Sequence, residues 1–122
     1  MKYLFLLLEI LIVSVVHAQE HSSPAGADKY FIVQYTPGSA WSKSKPANEQ
    51  EYFKEHSTHL SELRKANHID IGGRYENTLM LLVRAKTEEE AKFLVQDDPA
   101  VKNKLFKIEL FPFNPVFNGC VR

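Results

Sequence analysis

A single cysteine, Cys120, stands two residues from the end of a 122-residue chain. One thiol cannot build an intramolecular disulfide framework, and it cannot supply the cysteine pairs of a structural zinc site. Chain ends are usually mobile, so a free thiol on a frayed tail is expected there, the alternative being a bond to a second copy or another protein. An excess of charge of either sign is also missing. Fifteen basic and fifteen acidic side chains cancel, and no basic block or basic-aromatic stripe appears. The long-range field that gathers phosphate backbones or anionic lipid is therefore absent, and nucleic acid is not an expected partner. No H-E-x-x-H and no G-x-S-x-G occurs, so neither a zinc hydrolase nor a serine triad is supported, and no metal or cofactor is expected. Internal repeats and low-complexity segments are lacking too.

One apolar run exists, Tyr3 to Val16 in "MKYLFLLLEILIVSVVHA", but Glu9 interrupts it. Spanning a bilayer takes ~20 apolar residues. With Lys2 as a short positive end and the small Ala18 at its close, residues 1–18 read as a secretory signal cleaved after Ala18. The mature chain is then expected to be extracellular, with no membrane attachment. Residues 19–28 are polar and small and form a flexible leader, 29–117 form the domain, and 118–122 a C-terminal tail. With 44% hydrophobic and 25% charged residues, the remainder has the composition of one ordinary globular domain.

Periodicity and punctuation order the elements of that domain. "KYFIVQY" from Lys29 is rich in β-branched and aromatic residues and ends at Thr36, Pro37 and Gly38. A first helix is expected to open at Asn48, with Glu51 in capping-box spacing, and to end at Asn67, a residue that tolerates the left-handed conformation. "HIDIGGRY" gives a short strand broken at Gly72 and Gly73, and "TLMLLVRA" gives the next, with Asn77 in the turn between them. Thr87 with Glu90 caps a second helix, "EEEAKFLVQ", which Pro99 stops. After a turn through "AVKN", "KLFKIELFPF" is the last strand, where Pro112 implies an edge position or the strand's end. This order is the split βαβ pattern of a ferredoxin-like α+β sandwich.

In that layout both helices cover one face of the sheet, and a solvated opposite face should be polar. It is not. Tyr30 and Ile32 lie opposite Phe31, Val33 and Tyr35, and Met80 and Leu82 lie opposite Leu79, Leu81 and Val83. A second apolar face needs a cover, and a homodimer packed sheet to sheet is expected.

The first helix places a histidine where a leucine would be ordinary. At about 100° per residue, Tyr52, Phe53, His56, Leu60 and Leu63 share an arc of about 100°, while His59 lies about 60° to the side. His56 should point between helix and sheet, either as a hydrogen-bonded core side chain or as a proton-transfer group paired with a carboxylate. Asp70, Asp97 and Asp98 are the candidate partners, and Asp98 has the most constrained backbone because Pro99 follows it.

Taken together the pieces resemble the YCII-related family of small dimeric α+β domains. The resemblance runs through essentially the whole mature domain. It rests on Thr36-Pro37-Gly38 with Trp41 after the first strand, and on a helix histidine seventeen residues before the second glycine of the Gly72-Gly73 pair. It rests also on Asp98-Pro99 and on the closing F-x-x-E-x-x-P-F-x-P-V-F from Phe106 to Phe117. It implies a ferredoxin-like βαββαβ sandwich of the dimeric α+β barrel type, with a pocket between helix and sheet and an active-site pair of His56 and Asp98. The better-described members remove chloride from hydroxylated aromatic rings. This chain departs from the pattern in having Arg74 where the family usually has proline, and in its export signal.

As an enzyme, the chain would use His56 to move a proton and Asp98 to orient it, and the resemblance implies a lyase or dehydrochlorinase-like reaction. Trp41 could close over a small-molecule ligand, Arg74 could meet an anionic group, and His59 could touch the pocket from its flank. The alternatives are a non-catalytic secreted dimer that binds a small molecule, and a dimeric module whose outer surface meets another protein.

Overall fold

Alternation along the first strand decides how the domain is layered. In β1 (Lys29–Pro37), Phe31, Val33 and Tyr35 are buried while Tyr30, Ile32 and Gln34 on the other side are only partly so. A strand apolar on both faces gains most from a central place, and β1 pairs antiparallel with β3 (Thr78–Ala85) on one side and β4 (Phe106–Phe113) on the other. A further strand, β2 (Ile69–Tyr75), pairs antiparallel with β3. The sheet order is β2-β3-β1-β4. The computed structural model from which this follows describes residues 27–117 and Gly119. Residues 1–18, expected to be a secretory signal, most of the segment 19–28 expected to be a leader, and Cys120 lie outside the described residues.

Register puts Val33 between Leu81 and Leu110, and Tyr35 between Leu79 and Ile108, so three strands build one apolar surface. Helices α1 (Phe53–Lys65) and α2 (Glu88–Gln96) cover it, with Leu63 from the first and Ala91 and Val95 from the second buried. The small Ala91 and Ala100 let helix backbones approach the sheet closely, and both are fully buried. An α+β domain with a four-stranded antiparallel sheet and three helices results, compatible with the ferredoxin-like arrangement expected from the element order.

Local signals held where they depended on near neighbours. Asn67 has φ 62 and follows α1 in the left-handed conformation, its N–H donating to the Arg64 carbonyl while the His68 N–H donates to that of Leu63. Thr87 Oγ1 accepts from the Glu90 N–H at 3.1 Å, and the Glu90 carboxylate reaches back to the Lys86 N–H at 2.7 Å. Glu76 and Asn77 form the turn between β2 and β3, and Pro112 lies on β4, an edge strand.

Three local expectations are corrected. Asn48 does not cap α1: Ala47–Glu49 forms a single 3₁₀ turn, and the helix starts at Phe53 after Tyr52 in the left-handed region with φ 66. The reason is Gln50. Its buried amide accepts from the Ser42 N–H at 2.9 Å and donates to the carbonyls of Ser42 at 2.7 Å and Lys45 at 2.9 Å, which closes the loop after β1 and holds Gln50 extended. Secondly, β2 runs unbroken through Gly72 and Gly73. Its irregularity is a bulge at Asp70, since Ile69 pairs with Val83 and Ile71 with Leu82. Thirdly, "AVKN" is no plain turn: α3 (Pro99–Lys102) is a one-turn helix with Pro99 in its first turn.

The opposite sheet face carries no helix among the described residues. Ile32 lies there between Leu82 and Phe111, and Ile71 and Phe111 remain 39% and 45% exposed. Among the polar contacts on this face, Gln34 donates to the Tyr75 hydroxyl at 2.9 Å, and Arg84 pairs with Asp70.

Candidate functional site

His56 lies on the first turn of α1, and its backbone N–H closes the helix onto the Tyr52 carbonyl at 2.9 Å. The helical arc turns its ring inward, and the residue is 2% exposed. Asp98 arrives from the junction of α2 and α3. The proline that follows holds it extended at φ −62 and ψ 123, and its Oδ1 caps α3 by accepting from the Ala100 N–H at 2.9 Å. That leaves Oδ2 aimed at the underside of α1, where it meets His56 Nδ1 at 2.5 Å. Both carboxylate oxygens are thus engaged, and Asp98 is fully buried.

The pairing fixes chemistry as well as position. An ionised carboxylate only accepts, so Nδ1 of the imidazole carries the donated proton and a neutral ring keeps its lone pair on Nε2. No hydrogen bond engages Nε2 within the described residues. Three aromatic rings surround the imidazole, with centroids at 4.7 Å for Phe106, 5.4 Å for Tyr35 and 6.0 Å for Phe53. The Tyr35 hydroxyl is buried and without a hydrogen-bond partner among the described residues. Burial first, and the negative Asp98 second, push its pKa well above the ordinary tyrosine value, so it stays protonated at physiological pH.

A pocket of about 380 Å³ opens beside this cluster. Tyr35, Trp41, Phe53, Leu79 and Phe106 form its apolar wall, while Lys43, Arg74 and Glu76 bring charge to it. Trp41 leans on Phe106 with ring centroids 5.6 Å apart. His56 does not itself line the pocket; the three rings packed on it include much of the pocket wall. Trp41 and Arg74, expected to touch a ligand, therefore share one pocket.

His59 lies elsewhere. Its Nε2–H donates at 2.8 Å to the Leu94 carbonyl, one of the last-turn carbonyls that α2 cannot satisfy itself. It lines a separate hollow with Asp97 and Pro99. The two other carboxylates are committed as well: Asp70 to Arg84, and Asp97 to Lys102 at 2.7 Å, a contact that holds the Asp97 carboxyl below the usual range. Among the described residues no group of three or more histidine, cysteine or acidic side chains could hold a metal ion, and no helix is long and apolar enough to cross a membrane.

Sequence reasoning missed Tyr35, Phe53 and Phe106 as parts of the site. Alternation placed Tyr35 on the core side of β1, yet nothing local distinguishes a wall of a pocket from the rest of a core. Fold and site together define an α+β domain with a buried histidine–aspartate pair between helices and sheet. Compared with protein-family models, with curated proteins and with solved structures, the chain matches none of them.

Proposed function

We propose that this chain is a secreted YCII-like domain that acts on a small molecule, with His56 and Asp98 performing general acid–base chemistry of the lyase or dehydrochlorinase type. The observation that carries the proposal is the 2.5 Å contact between two side chains buried beside an apolar pocket. Asp98 holds the tautomer that leaves Nε2 basic and stabilises the imidazolium that forms when Nε2 accepts a proton. Tyr35, Phe53 and Phe106, which pack on the imidazole, line the pocket as a layer that His56 does not join. That layer favours the second reading, a secreted dimer that binds its ligand without turnover.

Deuterium uptake from heavy water into activated C–H positions of small hydroxyaromatic and carbonyl compounds, followed by proton NMR, separates the two. Catalysis by His56 predicts uptake that His56→Gln slows by about 10²-fold or more while the fold is retained. Uptake that the substitution leaves untouched removes His56 from the mechanism, and no uptake by the native chain favours binding alone.

The open apolar sheet face supports a homodimer in which a second copy covers Ile32, Leu82 and Phe111. Material recovered from the medium of expressing cells should begin at Gln19 and sediment as a dimer at micromolar concentration. Retention of residues 1–18 argues against export by a cleaved signal, and a monomer argues against the covered face.

A further inference from the structure

The pocket beside His56 has a charge pattern that its apolar wall does not require. Arg74 stands on the core-facing side of β2, in register with Leu79, just before the turn at Glu76 and Asn77. It lines the pocket together with Lys43, and Glu76 is the one acid that does so. No ion pair or hydrogen bond engages the Arg74 side chain within the described residues. An unpaired guanidinium is a planar fork whose donors match the two oxygens of a carboxylate. Trp41, Phe53 and Phe106 supply apolar lining, and a volume of about 380 Å³ accommodates a body the size of one or two rings.

We infer that this pocket selects a small carboxylic acid with a ring-sized apolar body, and that Arg74 is the residue that imposes the choice. The ring lies among Trp41, Phe53 and Phe106, and the carboxylate meets Arg74, with Lys43 adding to the attraction. Glu76 opposes a dianion and favours a single negative charge. Because Arg74 is exposed, its contribution weakens as salt is raised. The inference rests on the small-molecule role of this pocket and does not depend on proton transfer by His56.

Trp41 is the only tryptophan, so its emission reports on this pocket. The mature chain is titrated with benzoate and with benzamide, its neutral isostere, at low and at high ionic strength. Benzoate should bind saturably and at least tenfold more tightly than benzamide, with the difference shrinking in high salt. Arg74→Gln should bring benzoate to the level of benzamide, Arg74→Lys should retain part of the preference, and Lys92→Gln, on α2 and outside the pocket lining, should change nothing. Saturable binding of both compounds with equal affinity overturns the carboxylate inference and leaves the pocket as a binding site. An undiminished preference in Arg74→Gln overturns the role of Arg74. No saturable response to either compound overturns the inference and counts against the pocket itself.

Discussion

Replacing Asp98 with alanine should lower the free energy of unfolding by about 3–5 kcal/mol, the cost typical of breaking a buried pair by removing one partner. Two separate losses combine in this substitution. The Nδ1–H of His56, in a residue only 2% exposed, is left among the rings of Tyr35, Phe53 and Phe106 with no acceptor. The Ala100 N–H at the start of α3 loses its cap as well. Asp98→Asn should cost less, since the amide oxygen still accepts one of these two hydrogens in nearly the same volume. Urea denaturation of both variants reads the difference. A loss under about 1 kcal/mol for Asp98→Ala would mean that the imidazole is not held by this carboxylate, and the proposed chemistry would lose its orienting group.

Gly38→Ala is the second large effect. A Cβ at this position would lie 2.2 Å from the Lys104 carbonyl oxygen, with backbone atoms of Lys104 and Leu105 at 3.0 and 3.2 Å behind it. Backbone cannot swing aside as a side chain would. The loop after β1 must instead move away from the segment that leads into β4, straining the Gly38 N–H bond to the Leu105 carbonyl at 2.8 Å and the Ala40 N–H bond to that of Lys104 at 2.9 Å. Overpacking together with weakened hydrogen bonds should cost about 2–4 kcal/mol. The same movement lifts Trp41 from Phe106, so a lower melting temperature should come with a red shift of tryptophan emission. Native melting and native emission in this variant would show that the loop does not sit as closely as described.

The two sites differ in how they could be found from sequence. Gly38 belongs to a Thr-Pro-Gly turn, and a turn glycine is visible locally, but the carbonyl it approaches belongs to a residue far along the chain. His56 could be placed under α1 from helical periodicity alone. Its partner could not be chosen that way, since Asp70, Asp97 and Asp98 were all available and the contact spans 42 positions. Asp98 stood out through the proline after it and through the family resemblance. The structure brings it to His56 because capping α3 uses one oxygen and turns the other toward α1. His59 shows the converse. Its flank position was legible, but its acceptor, a carbonyl 35 positions away at the end of α2, was not.

By itself the sequence determined the order of the four strands and the two longer helices, the left-handed exit of α1 at Asn67, the Thr87 cap and the two-sided apolar character of β1 and β3. These follow from side-chain preferences acting over a few neighbouring residues, or from alternation along a strand. Only the tertiary structure decided which carboxylate meets His56, that Tyr35, Trp41, Phe53 and Phe106 wall one pocket whose lining includes Arg74, and that Gln50 delays the start of α1. Those arrangements depend on distances between segments remote in the chain, which packing sets all at once and no local pattern encodes.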